Sequence, residues 1–68
     1  MSTVYIELHC NYFNEWSYVV QDVMKDDSFR DFYIGTNLED SEKIRAAYAK
    51  AARHYNTLVS EADAIPLF

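Results

Sequence analysis

Glycine, proline and cysteine occur once each in 68 residues, and each scarcity closes off a class of function. A phosphate-cradling loop needs closely spaced glycines, so Gly35 alone cannot supply one. Cys10 alone cannot form an internal disulfide. The soft metal ligands are His9, Cys10 and His54; the first two are adjacent on an alternating segment, so their side chains point to opposite faces. Nothing matches the spacing of a zinc site, and no metal or other cofactor is expected. No GxSxG-type turn exposes a nucleophile, and the neighbouring acids Asp26/Asp27 and Glu39/Asp40 suit a solvated turn and a helix start better than paired acid and base work. No catalytic residues are assigned and the chain is not expected to be an enzyme.

Long apolar runs are also missing. The longest span only a few residues, against the roughly 20 needed to cross a bilayer, so no membrane association is expected. The beginning, MSTVYIELHC, has neither a basic leader nor an apolar core, which suggests a cytoplasmic protein. A chain this short hides only about 60% of the surface its unfolded form exposes, so residues 1–68 read as one compact domain. Stability is thin at that size without disulfides or metals, and oligomerisation is one remedy.

What the sequence does hold is aromatic surface and negative charge. Eleven residues are Tyr, Phe or Trp, more bulky area than a small core readily encloses, so some of it should reach the surface. Eleven acids face six bases, giving a net charge of −5. Residues 1–40 carry −6 of it and residues 41–68 carry +1. An acidic first part repels phosphate backbones, so direct nucleic-acid binding is not expected. Tyr5 and Tyr33 could stack bases from a sheet, but the flanking Lys and Arg of RNA-binding sheets are missing.

Periodicity sets the elements. In residues 3–10, Val4, Ile6, Leu8 and Cys10 alternate with Thr3, Tyr5, Glu7 and His9, the period of a half-buried strand. Residues 37–63 read as a helix, with Asn37 or Asp40/Ser41 as N-cap. Along it Ile44, Tyr48, Ala51, Tyr55, Leu58 and Ala62 form one apolar seam, widened by Ala47, Ala52 and Val59. Residues 11–25 allow two readings. Their Trp, Tyr and Val content favours a strand in which Trp16, Tyr18, Val20 and Met24 align. Lys25–Ser28 then form a turn, and FRDFYIGT a third strand with Phe32 and Ile34 on one side. The expected fold is α+β, a three-stranded antiparallel sheet packed on one long C-terminal helix (βββα). The alternative is βαβα with residues 12–25 helical, which leaves a sheet of only two strands.

Such a module should act by contact. The leading expectation is a small acidic protein-binding module, an inhibitor or regulator that occludes a larger, basic protein. In size and charge it resembles phage-encoded modulators of host nucleases, defence complexes or other nucleic-acid-binding machines. Asp22, Asp26, Asp27 and Asp31 would cluster at the second turn beside Phe29 and Tyr33, with Glu39 and Asp40 adding charge for steering. A helix over residues 41–62 would be about 33 Å long and overhang the sheet, presenting Leu58, Val59 and Ala62, with Leu67 and Phe68 beyond, to a second copy or a partner. A homodimeric structural or assembly subunit using that seam is the first alternative, and a small nucleic-acid binder the second.

Overall fold

A computed structural model describes residues 3–63. Three strands, β1 (Val4–Cys10), β2 (Trp16–Asp22) and β3 (Arg30–Gly35), precede one helix, α1 (Ser41–Asp63). The strands form one antiparallel sheet in the order β1-β2-β3. The fold is therefore βββα, as the alternation and the seam predict. The βαβα alternative is excluded, because Trp16–Asp22 runs as the central strand. Its β-branched and aromatic residues fit a pleated surface better than a helix of the same composition.

Two layers enclose the core. Register pairs Val4 with Asp22, Ile6 with Val20 and Leu8 with Tyr18, and places Tyr18 beside Phe32. These residues share the face that α1 covers. Val20 and Ala51 lose all exposure there and pack with Val4 and Leu58, surrounded by Ile6, Tyr18, Phe32, Tyr55 and Val59. Full burial of an aliphatic side chain such as Val20 contributes about 1.5–3 kcal/mol. Ala47 and Ala51 are the buried small positions of the seam, and they let the helix backbone approach the central strand. The helix crosses β2 and β3 more closely than β1, which leaves Leu8 half-exposed.

The seam departs from expectation at two places. Tyr48 is 50% exposed and lies edge-on against Tyr18, with ring centroids 5.3 Å apart, at the margin of the core. Leu58, expected on an overhanging end, is only 4% exposed and belongs to the core, and Val59 packs against it. The overhang expectation fails because the C-terminal half of α1 is held down by the connection between β2 and β3. There His54 Nε2 donates to the Ser28 carbonyl at 2.8 Å, and Lys25 Nζ lies 3.2 Å from Glu61 Oε2. Ala62 is half-buried, and Leu67 and Phe68 lie outside the described residues.

Two turns have clear local causes. Asp40 caps α1, its carboxylate accepting from Lys43 N at 3.2 Å, so the helix begins at Ser41. Asn37 instead organises the approach, accepting from Glu39 N at 2.8 Å. In β3, Tyr33 pairs with Ser17 and Gly35 with Trp16, which leaves Ile34 as an extra residue in the strand. Gly35 closes this irregularity at φ +137, a conformation that L side chains rarely adopt.

Candidate interaction surface

α1 packs on one face of the sheet through Ala51 and Leu58, and the strands' remaining side chains form the opposite face. Parity and register assign it Tyr5, Glu7 and His9 from β1, Ser17, Val19 and Gln21 from β2, and Asp31 and Tyr33 from β3. Ser17 and Val19 are nonetheless buried on it, and Glu7 and Asp31 flank Val19 across the two neighbouring strands. Tyr5 Oη donates to Gln21 Oε1 at 2.8 Å, and Ser17 Oγ lies 3.4 Å from Asp31 Oδ2. At the β3 edge, Phe29 and Tyr33 are 51% and 60% exposed. The face thus combines carboxylates with aromatic rings.

The hairpin between β1 and β2 extends this surface with side chains that the charge argument overlooked. Tyr12 and Phe13 are 97% and 75% exposed, and their rings meet edge-on at 5.9 Å. The loop beneath them is ordered by one residue. Asn11 Oδ1 accepts from Phe13 N at 2.8 Å and Glu15 N at 3.0 Å, Asn11 N donates to the Glu15 carbonyl at 2.9 Å, and Asn11 Nδ2 donates to Glu15 Oε1 at 3.1 Å. Asn14 takes the positive φ of 60 that the turn requires, which Asn tolerates better than most residues. Glu15 also accepts from Tyr33 Oη at 3.0 Å, tying the loop to the β3 edge. That hydrogen bond and the carboxylate's charge push the Tyr33 phenol above its ordinary pKa. The signal for this site was present in NYFNE, where two aromatics sit between asparagines that demand a turn.

The acids expected to converge are divided among four places. Asp22 is 2% exposed and serves the fold rather than a partner. Its carboxylate accepts from Thr3 Oγ1 at 2.6 Å and Met24 N at 3.0 Å, and these bonds hold its pKa below the usual value despite burial. Buried Ser28 completes the connection, accepting from Asp22 N at 2.8 Å and lying within hydrogen-bond distance of the Asp22 and Lys25 carbonyls. Met24 does not continue the line of Val20, because the chain turns after Asp22 and exposes it. Asp26 and Asp27 are exposed on the single 3-10 turn Asp26–Ser28 that precedes β3. Glu39 and Asp40 follow β3 at its other end, about 20 Å away for a six-residue strand, and Asp40 is occupied as the helix cap. Of the expected set, Asp31 and Tyr33 share one face of β3, with Phe29 immediately before the strand and Asp26 and Asp27 on the turn that leads into it.

Among the described residues no group of three or more His, Cys, Asp or Glu is placed to hold a metal ion, and no helix is long and apolar enough to cross a membrane. Cys10 is half-buried at the end of β1, its thiol 3.6 Å from the Asn11 carbonyl. No family model matches this sequence, and neither a curated protein nor a solved structure matches it.

Proposed function

We propose that this chain is a protein-binding module that docks a larger, basic partner through the sheet face opposite α1 and the β1–β2 hairpin, and acts as an inhibitor or regulator by occluding that partner's surface. The observation that carries this reading is the hairpin tip, where two largely exposed aromatics stand on a backbone already fixed by Asn11. Exposed aromatics on a mobile loop lose entropy when they bind, whereas a loop ordered in advance spares most of that cost. Aromatic anchors beside a charged rim are the usual composition of an energetic centre in an interface. Glu7, Glu15 and Asp31 supply the rim, and a basic groove is its complement.

Of the helix seam that a homodimer would use, Leu58 is buried under the sheet of the same chain with Ala47 and Ala51, which leaves Val59 and Ala62, both half-buried, as its described contacts. The test of the proposed reading uses paired baits. Tagged wild-type protein and the double variant Tyr12→Ala/Phe13→Ala are passed through the same native extract, and retained proteins are quantified by mass spectrometry. One basic protein should be enriched by the wild type and lost from the variant. Its purified form should bind the variant roughly tenfold more weakly or worse. A second variant, Asp26→Lys/Asp27→Lys, should weaken binding less and mainly through salt-sensitive association. Equal retention by wild type and the aromatic variant would overturn the assignment of the hairpin.

A further inference from the structure

The acidity of this chain conceals one basic site. Three of its six lysines and arginines, Arg30, Lys50 and Arg53, line a single groove of about 330 Å³ between β3 and α1, together with Phe32, His54 and Thr57. We propose that this groove binds a small phosphate ester, with the phosphate held by the three cations and the organic group lying against Phe32.

Four observations support the assignment. First, among the described residues no carboxylate lines the groove, although acids outnumber bases in the chain by eleven to six. Second, none of the three cations forms an ion pair among the described residues; Lys25 is the base that does, with Glu61. Like charges lining one groove repel one another, and an anion between them removes that repulsion while accepting charge-assisted hydrogen bonds. Third, the walls are ordered. The His54 ring is pinned by its bond to the Ser28 carbonyl and leans on Phe32, with ring centroids 6.1 Å apart. Thr57 is fixed on α1 by its own bond to the Arg53 carbonyl at 3.0 Å. Fourth, the lining is not purely polar. Half-buried Phe32 gives the groove an aromatic wall that a bare inorganic anion would not use.

Size and surroundings select a small ligand over a polymer. A volume near 330 Å³ lies at the low end of small-molecule sites. A nucleic-acid strand leaving the groove would meet the acids of the adjoining cleft, which shares Arg30, His54 and Thr57 with the groove and holds Asp27 and Glu61 beside Lys25. The site lies on the helix-facing side of β3, away from the proposed protein-binding face.

Amide-resolved NMR titration with adenosine monophosphate tests the proposal, with inorganic phosphate and adenosine as separate arms. Adenosine monophosphate should produce saturable shifts confined to Arg30–Phe32 and Lys50–Thr57. Inorganic phosphate should bind there more weakly, and adenosine should give no saturable shift. Lys50→Glu/Arg53→Glu should weaken the nucleotide roughly tenfold or more. Lys43→Glu/Arg45→Glu changes net charge equally on the same helix outside the groove, and should leave affinity within about twofold. Both pairs are exposed, and the unshifted remainder of each spectrum reports an intact fold. Equal weakening by the two variants would replace the site with general electrostatics. Nucleotide and phosphate binding with equal affinity would remove the role of Phe32. Silence toward nucleotide with binding of a single-stranded oligonucleotide would overturn the small-ligand assignment in favour of a nucleic-acid surface.

Discussion

Replacing Leu58 by Ala should remove a large fraction of the stability of this domain. Leu58 sits in the four-residue centre of the core with Val4, Val20 and Ala51, and Val59 and Tyr55 close around it. The substitution deletes three aliphatic carbons, about 2.4 kcal/mol at 0.8 kcal/mol per methylene-sized group. A residual cavity adds to this, and Leu-to-Ala changes in well-packed cores cost about 2.7–5.0 kcal/mol. At 4% exposure near a helix end the surroundings can partly collapse, so about 3 kcal/mol is expected. A 68-residue domain has roughly 3–10 kcal/mol in all, at about 0.05–0.15 kcal/mol per residue. The melting temperature should therefore fall by about 12–24 °C. Urea unfolding followed by far-ultraviolet circular dichroism gives the quantity directly, as a lower midpoint at unchanged slope. Tyr48→Ala serves as the internal comparison, since its ring is half in solvent and contributes mainly the edge contact with Tyr18, about 1 kcal/mol. A cost below about 1 kcal/mol at Leu58, or a larger cost at Tyr48 than at Leu58, would refute the docking of the C-terminal half of α1 on the sheet.

Three further outcomes follow from particular contacts. Asp22 has its pKa lowered in the folded state by Thr3 and the Met24 amide, so its contribution to stability is present above the ordinary carboxylate value of 3.8 and is lost as pH falls toward the depressed one. Asp22→Asn should flatten the acid limb of a stability–pH curve, and an unchanged limb would show that other carboxylates carry it. Glu15→Gln should lower the Tyr33 pKa toward its ordinary value of 10.0, read from the ring-carbon chemical shift of Tyr33 in an NMR pH titration; a phenol that titrates as before would mean that the hairpin is not tied to β3. Gly35→Ala meets no atom within 4 Å, so its destabilisation, about 1 kcal/mol, should arise from the φ of +137 alone and appear as a lower urea midpoint.

Much of the fold was legible because its signals are local. Alternation at Val4, Ile6, Leu8 and Cys10 and the 3–4 spacing from Ile44 to Ala62 are readable without knowing the partner surface. The ambiguity over residues 12–25 yielded to the β preference of Trp16, Tyr18, Val19 and Val20. Exposure was harder to read. Asp22 and Asp26 are both acids near a turn, yet one accepts Thr3 from across the β1–β2 pair and is buried, while the other stands in solvent. Leu58 looked like an overhanging end because helix length was compared with strand length, without the tether from His54 to Ser28.

The sequence by itself determined the first strand, the long C-terminal helix and the concentration of negative charge in the first forty residues, and it favoured a strand over a helix for residues 12–25 without deciding it. Tertiary structure alone decided which face those charges reach. It divided the acids between the buried end of β2, an exposed turn, a sheet face and a helix cap. It also brought Arg30 of β3 into one groove with Lys50 and Arg53 of α1, twenty and twenty-three residues further along the chain, with no carboxylate among the described residues that line it. The reason is physical: periodicity is imposed by each element's own backbone, whereas burial and charge neighbours depend on how that element is laid against another one distant in sequence.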